Sequence, residues 1–188
     1  LIFKRPSSIT TDTLQGKKII ELIKNDISLY SSHTNLDSVE NGLNDTIVSI
    51  LGFDNSKILE KNKRDDKAGL GRIVSLNESI QLEDLISKIK KSLNINNFNK
   101  YSFLYLDLIL WSWLLLSVVI AIINGSGQDF IGKAVALGAD CIITGDTTYH
   151  FASDYKEMKI SILDVGHFAS EQITFFNVME NLKEKFKD

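Results

Sequence analysis

Residues 160–182 read ISILDVGHFASEQITFFNVMENL, and this stretch indicates an α/β fold. The apolar run ISIL is typical of a buried strand, whereas the residues from Ser170 onward have helical spacing. Gly166 separates the two, and it is followed by His167 and, four residues later, by Glu171. We therefore expect a strand-to-helix corner that carries either a polar surface cap or part of a metal site.

Strand and helix patterns alternate along most of the remaining chain. Helices are predicted for residues 13–26, 38–53, 77–93 (with Asn77 as the cap), 127–138 and 153–159, and strands for residues 27–34, 72–76, 118–123 and 140–145. Residues 53–71 are polar and charged and are predicted to form a loop. Repeated strand–helix–strand units predict an α/β fold with a mainly parallel or mixed sheet covered by helices.

Composition is ordinary for a globular protein and excludes few functions. The 188 residues are 44% hydrophobic and 24% charged, and the net charge of −3 gives no reason to expect a nucleic acid as partner. The single cysteine, Cys141, lies in an apolar run and cannot form an internal disulfide. We expect a small core residue in a reducing, cytoplasmic protein.

An apolar run at residues 103–123, FLYLDLILWSWLLLSVVIAII, is long enough to span a bilayer. Asp107 interrupts it, few positive charges flank it, and its end VVIAIINGSG is typical of a buried strand that enters a glycine loop. Two buried strands, or a strand and a buried helix, are therefore favoured over a transmembrane span, and we expect no membrane partner.

The corner at His167 has a counterpart earlier in the chain. LYSSHTNLD and ILDVGHFASE both have an apolar run, a histidine, three residues and an acid, so that His33 precedes Asp37 as His167 precedes Glu171. Imidazole and carboxylate ligands suit Zn²⁺, Mn²⁺ or Fe²⁺. Two such corners at the carboxyl ends of strands could share a metal cluster, although acids in a first helical turn also simply complement the helix dipole.

Two further loops follow predicted strands. NGSGQDF, residues 124–130, contains Gly125, Ser126 and Gly127, whose backbone N–H groups could hold an anion, or which could form a plain tight turn. ITGDTTYH, residues 143–150, contributes Asp146 and His150, which could line the same crevice or form a capped turn. The sequence contains no G-x-S-x-G elbow, so it offers little support for covalent nucleophilic catalysis.

Taken together, these motifs resemble the Nif-three-like family, often labelled GTP cyclohydrolase I type 2 homologues. The resemblance rests on seven segments that occur in the family's order over nearly the whole chain: LIFK, LYSSHTNLD, NGLND, GLGRI, GSG, ITGDTTYH and DVGHFASE. It implies a two-lobed α/β fold with mixed sheets flanked by helices. We expect residues 1–188 to form one such domain that lacks its N-terminal part, with a lobe boundary near residues 94–117.

The resemblance also implies a dinuclear centre and a ring-like homo-oligomer, usually a hexamer. Asp37, His167 and Glu171 match metal ligands, and Glu171 is also the catalytic candidate; His33 matches a pocket or second-shell residue. Two more ligands are expected in an H-H-P motif directly before LIFK, so two divalent ions per subunit are expected only in the complete protein. Residues 101–117 have no counterpart in the family pattern.

Three functions are consistent with these features. The first is a metal-dependent hydrolase that acts on a nucleotide or phosphoester, with Gly125, Ser126, Gly127, Asp146 and His150 near the substrate. The second is an oligomeric metal-binding or regulatory protein without catalysis, and the third is membrane attachment through residues 103–123.

Overall fold

The structure, a computed structural model, describes residues 6–101 and 116–186. The chain divides into two compact units, Leu1–His33 and Thr34–Asp188. The lobe boundary expected near residues 94–117 stays a prediction, because residues 102–115 of that range lie outside the described residues. The apolar residues 103–115 lie outside them as well.

The first unit contains helix α1 (Leu14–Lys24), and Thr13 caps it by accepting a hydrogen bond from the Gly16 N–H at 3.0 Å. The strand expected at residues 27–34 is wrong. Within the described chain, residues 27–33 form neither helix nor strand, and Leu29 and Tyr30 are 60% and 83% exposed. A strand needs a neighbour for its backbone hydrogen bonds, and the described part of this unit provides none.

The second unit is built on a mixed six-stranded sheet. The strands as described are β1 (Lys57–Lys61), β2 (Gly69–Gln81), β3 (Asn99–Tyr101), β4 (Leu116–Ser126), β5 (Cys141–Gly145) and β6 (Ser161–Asp164). Their order in the sheet is β1-β2-β4-β5-β6-β3. The central strands β4, β5 and β6 are parallel, whereas β1, β2 and β3 pair antiparallel with their neighbours. This arrangement confirms the α/β class with a mixed sheet flanked by helices.

Helices cover both faces of this sheet. In this unit they are α2 (Thr34–Ser38), α3 (Leu43–Ile50), α4 (Leu82–Leu93), α5 (Ile131–Ala136), α6 (Tyr149–Glu157) and α7 (His167–Lys185). Along β4, Ile120 and Ile122 join one core cluster with α3 and α4, whereas Ala121 and Ile123 join a second cluster with α5 and α6. Because both faces are buried, β5 and β6 are buried at every residue, as expected for central parallel strands. Cys141 is fully buried, as predicted.

Two predictions are wrong because polar segments of the chain form strands of this sheet. The expected loop at residues 53–71 contains β1 and the start of β2, and the expected cap Asn77 lies inside β2. β1 is a charged edge strand, which reads as a loop in the sequence. β2 continues to Gln81 because its end pairs with the start of β4 after a register shift that follows Ser75.

The helix that follows β2 is α4, and it buries the apolar face that helical spacing of its leucines and isoleucines predicts. This face is formed by Leu82, Leu85, Ile86, Ile89 and Leu93. Among residues 6–101 and 116–186, no helix has the length and hydropathy required to cross a bilayer. The described end of the apolar run is β4, in agreement with the predicted strand at residues 118–123.

Candidate functional site

The carboxyl ends of β4, β5 and β6 lie side by side because the three strands are parallel neighbours. Each strand leads into a short loop and then a helical segment: a 3₁₀ turn at Gln128–Phe130 after β4, α6 after β5, and α7 after β6. In open α/β sheets this edge forms the crevice where ligands bind. Three predicted features lie along this edge: the glycine loop at residues 124–130, the loop at residues 143–150 and the corner at His167.

The corner between β6 and α7 is held by the carboxylate of Asp164, which is buried. Its two oxygens accept hydrogen bonds from the Thr147 N–H at 2.7 Å and the Gly166 N–H at 3.0 Å. Gly166 has a φ of 83°, a left-handed conformation that suits glycine. A Cβ on Gly145 would lie 2.6 Å from the His167 N atom, so only glycine lets β5 approach this corner.

His167, the first residue of α7, contacts two carboxylates. Its Nδ1 lies 2.6 Å from Asp146 Oδ2, and its Nε2 lies 2.8 Å from Glu171 Oε1. Glu171 reaches the ring because residues four apart lie on one helical face. All three side chains are about half exposed. The pair predicted from the spacing of His167 and Glu171 is therefore in contact, and Asp146 joins it from the neighbouring strand end.

Charge around the ring decides its protonation in this arrangement. Burial lowers the pKa of His167, but the hydrogen bond to Asp146 and the charges of Glu171 and Asp146 outweigh burial, so the pKa lies above its ordinary value. Carboxylates accept hydrogen bonds, so a ring that pairs with two of them carries a hydrogen on each nitrogen. The raised pKa therefore favours the protonated ring, in which each nitrogen donates to one of the two carboxylates.

Gly125 lies beside the His167–Glu171 pair. Its φ is 67°, and a Cβ built on it would lie 2.8 Å from Glu171 Oε1 and 3.1 Å from His167 Nε2. Its N–H donates to Ser170 Oγ at 3.1 Å, which ties the loop after β4 to the first turn of α7. The glycine therefore leaves, beside Nε2 and Oε1, a space that a side chain would fill, which we call the recess at Gly125.

Asp37 lies in α2 and is connected to this edge through other residues. Its backbone carbonyl accepts a hydrogen bond from Asn44 Nδ2 at 2.9 Å, and Asn44 Oδ1 accepts one from the Asn124 N–H at 3.0 Å. Asn124 directly precedes Gly125. These contacts join the α2 segment to the loop that packs on His167 and Glu171.

The remaining predicted residues lie in different surroundings. Ser126 is exposed at the end of β4, where it pairs with Gly145, and a Cβ on Gly127 would lie 2.4 Å from Thr144 Oγ1. His150 is exposed in the first turn of α6, with its ring against Tyr149 in an edge-on contact. His33 is the exposed last residue of the first unit.

The side chains at this corner include donor types that suit a divalent ion. Among the described residues, no cluster of three or more His, Cys, Asp or Glu side chains is arranged to hold a metal. The His167–Glu171 pair nevertheless supplies one nitrogen and one oxygen donor that face the recess at Gly125, and Asp146 holds the opposite ring nitrogen. A carboxylate on the far side of a histidine is the usual support of a metal-binding imidazole. These residues fit a metal as part of a ligand set.

Sequence reasoning missed three residues that shape this site. Asn44 connects two segments, Asp164 holds the corner, and Ser170 accepts from Gly125. Asp164, as a polar residue at the end of an apolar strand, carried a recognisable signal. Asn44 carried none, because its contacts are 7 and 80 residues away in sequence.

Comparisons with known proteins give the family. The chain is 54% identical over 187 residues to the GTP cyclohydrolase 1 type 2 homolog of Clostridium perfringens, covering 98% of this chain and 67% of that protein. It is 50% identical over 172 residues to the Clostridium acetobutylicum protein of the same description, covering 91% of this chain and 61% of that protein. The chain thus spans about two thirds of the length of these relatives.

Solved structures share the fold. A crystal structure of a hypothetical protein of Staphylococcus aureus superposes with a TM-score of 0.82 at 25% identity, covering 98% of this chain and 69% of that one. Reduced HcgD from Methanocaldococcus jannaschii superposes with a TM-score of 0.75 at 30% identity, covering 96% and 66%. The family described as Duf34/NIF3 (NGG1p interacting factor 3) matches residues 1–188 in full, and the chain belongs to that family.

Proposed function

We propose that the His167 corner is part of a divalent-metal site and that the complete protein is a dinuclear metal-dependent hydrolase acting on a nucleotide or phosphoester. One observation carries the proposal: His167 Nε2 and Glu171 Oε1 lie 2.8 Å apart and face the recess left by Gly125. A nitrogen and an oxygen donor together suit Zn²⁺, Mn²⁺ or Fe²⁺.

Asp146 supports metal binding by selecting the tautomer of His167. Metal ligation requires a ring nitrogen without hydrogen. Because Asp146 Oδ2 accepts from Nδ1 at 2.6 Å, the hydrogen that remains after deprotonation stays on Nδ1, and Nε2 is the nitrogen that becomes available. The same carboxylate fixes the plane of the ring. We infer that Asp146 is a positioning residue for the ligand His167.

Asp37 is the proposed third ligand, and this assignment rests on the family pattern. Its segment is tied to the loop at Gly125 through Asn44, which supports a shared site. His33, which precedes Asp37 by four residues, is proposed as a pocket residue on the same basis.

When bound, divalent ions supply Lewis acidity that polarises a phosphoryl or ring group of a substrate. The chain's own residues would hold that substrate at the same edge. Ser126 and His150 are exposed there and could contact a polar substrate. The similarity to proteins described as GTP cyclohydrolase 1 type 2 homologs favours a nucleotide as the ligand.

The metal site is tested by titrating the purified chain with Zn²⁺ and Mn²⁺ in a calorimeter. We expect His167→Ala and Glu171→Gln each to lower affinity by at least about 10-fold, because each removes a donor. The matched control is Glu180→Gln on the same helix, where Glu180 pairs only with the exposed Lys183 among its described contacts. Wild-type affinity in Glu171→Gln would refute the ligand assignment.

Catalysis is tested separately with the full-length protein loaded with metal. Hydrolysis is measured across a panel of nucleoside triphosphates and phosphoesters, with Glu171→Gln as the inactive variant and Glu180→Gln as the active control. Turnover that disappears only in Glu171→Gln supports the hydrolase. Metal binding without turnover on any member of the panel favours the second candidate.

The second candidate is an oligomeric metal-binding protein without its own catalysis. It is favoured by exposed aromatic side chains on α7, where Phe168 and Phe176 are 73% and 59% exposed beside a groove of about 450 Å³ that also contains Leu93 and Ile173. Contiguous exposed apolar surface commonly marks an interface. A homo-oligomer, which the family pattern gives as a hexamer, would cover this surface. Native mass spectrometry of wild type and Phe176→Glu tests it, since a single mass equal to the monomer in both would exclude self-association.

A further inference from the structure

Asn44 is a buried side chain that makes two hydrogen bonds to separate segments. It is the second residue of α3 and is 1% exposed. Its Nδ2 donates to the Asp37 carbonyl at 2.9 Å, and its Oδ1 accepts from the Asn124 N–H at 3.0 Å. A buried amide that is satisfied at both ends by backbone groups fixes the distance between those groups.

Both segments belong to the proposed metal site. Asp37 is the proposed third ligand, and Asn124 precedes Gly125, whose backbone forms the recess at Glu171 and His167. The Gly125 N–H also donates to Ser170 Oγ, which ties the loop to the first turn of α7. A single side chain therefore connects the two parts of the ligand set.

The position of Asn44 is fixed by contacts of the neighbouring residue Asp45. The next residue, Asp45, forms an ion pair with Arg72, whose side chain is 2% exposed, and it also accepts a hydrogen bond from the Asn41 N–H at 2.7 Å. Arg72 Nη1 donates in turn to the carbonyls of Gly69 and Gly71 at 2.8 and 2.9 Å. The start of α3 is anchored to β2, which gives the amide of Asn44 a fixed position.

We propose that Asn44 is a positioning residue that sets the separation between Asp37 and the His167–Glu171 pair. That this separation matters for metal binding rests on the proposed function. The two hydrogen bonds of Asn44 do not need a metal, so their effect on both segments can be measured in the metal-free protein. Only a primary amide of this length offers one donor and one acceptor at these two places.

Substitutions separate the two bonds. Asn44→Ala removes both and leaves the Asn124 N–H without its acceptor, whereas Asn44→Asp keeps an acceptor for Asn124 and loses the donor to Asp37. The matched control is Asn177→Ala, because Asn177 is an exposed amide on α7 whose Nδ2 donates to the Ile173 carbonyl within its own helix.

The first readout is amide hydrogen exchange by NMR on the metal-free chain. We expect Asn44→Ala to accelerate exchange at the Asn124 N–H by at least about 10-fold, because this amide loses its buried acceptor. Asn44→Asp should leave Asn124 protected but accelerate exchange in α2, and it replaces Asn44→Ala if that variant does not fold. Exchange at Asn124 that is unchanged in Asn44→Ala would overturn the proposal, as would unchanged exchange in α2 of Asn44→Asp.

The second readout is Zn²⁺ affinity in a double-mutant cycle. Asn44→Ala should lower affinity by about 10- to 100-fold, the range for residues that orient ligands. If Asn44 acts through Asp37, then Asn44→Ala should cause no further loss in an Asp37→Ala background. Fully additive losses, or wild-type affinity in Asn44→Ala, would overturn the positioning role. A wild-type chain that binds no Zn²⁺ would refute the proposed function, and the exchange readout would then decide on Asn44 alone.

Discussion

Residues 29–37 and 163–171 have the same sequence pattern but different structures. Each has an apolar segment, a histidine and an acid four residues later. At Leu163 the apolar segment is a fully buried strand, and its histidine starts a 19-residue helix. At Leu29 the segment is exposed and irregular, and the helix that follows has five residues.

The difference shows that neighbours decide whether an apolar segment becomes a strand. β6 lies between β5 and β3, so its backbone groups are paired on both edges. Residues 27–33 have no such strand partner within the described part of their unit. The same local pattern therefore gives a rigid corner in one place and an exposed connection in the other.

The largest expected effect compares Leu163 with Leu29, since each precedes its histidine by four residues. Leu163→Ala should lower the free energy of unfolding by about 2–5 kcal/mol, because it leaves a cavity in the core. Leu29→Ala should change it by no more than about 0.5 kcal/mol, because that side chain is 60% exposed. Urea denaturation measures the free energy of unfolding of both variants. Similar losses in the two would contradict the expected difference between the buried and the exposed leucine.

An intermediate effect is expected at Gly125, and it tests whether the recess at His167 matters. Gly125→Ala should cost about 1–2 kcal/mol of stability, because an L-residue is strained at a φ of 67°. It should also weaken Zn²⁺ binding by displacing Glu171. The control Gly138→Ala has the same kind of strain at a φ of 90°, but its added Cβ would meet no atom within 4 Å.

Thermal unfolding and calorimetric titration distinguish the two glycine variants. Both should lose stability by similar amounts, and only Gly125→Ala should lose metal affinity. Equal metal affinity in the two variants would show that the close approach of Gly125 to Glu171 has no part in binding.

The smallest expected effect concerns pH and the histidine that the corner holds between two acids. The pKa of His167 is raised above its ordinary value of 6.5, so its contribution to the stability of the metal-free chain is present below that value and is lost as pH rises through the raised pKa. Asp146→Asn should lower this pKa, because it removes the charge and the strong acceptor at Nδ1. Asparagine tolerates the positive φ of Asp146, so the backbone should be retained.

NMR titration of the His167 ring in wild type and Asp146→Asn measures this shift directly. The stability difference between the two should be greatest on the acid side of neutrality and should shrink as pH rises. An unchanged His167 pKa in Asp146→Asn would contradict the assigned contact.

Much of the corner could be predicted because its determinants are local. The apolar run, the glycine and the four-residue spacing of His167 and Glu171 lie within a dozen residues, and helix geometry brings the last two together. The buried face of α4 could be predicted for the same reason, since helical spacing alone aligns Leu82, Leu85 and Ile89.

Other features could not be predicted because their partners lie far away in sequence. Asparagine is a common helix cap, yet Asn77 lies in a strand. The reason is that the end of β2 pairs with β4 some 36 residues later, where Ile80 lies opposite Ser117 and Gln81 lies opposite Leu116. β1 reads as a charged loop, yet it is a strand because β2 is available beside it.

By itself, the sequence determined the α/β class, the family resemblance and the pairing of His167 with Glu171, because each depends on periodicity or on spacing within one turn. Only the tertiary structure decided that Asp146 holds the far side of the ring, that Gly125 forms the recess, and that Asn44 connects the α2 segment to it. Each of these three contacts joins residues from different strands or segments. A buried hydrogen bond between residues 80 positions apart produces no periodic pattern in the sequence.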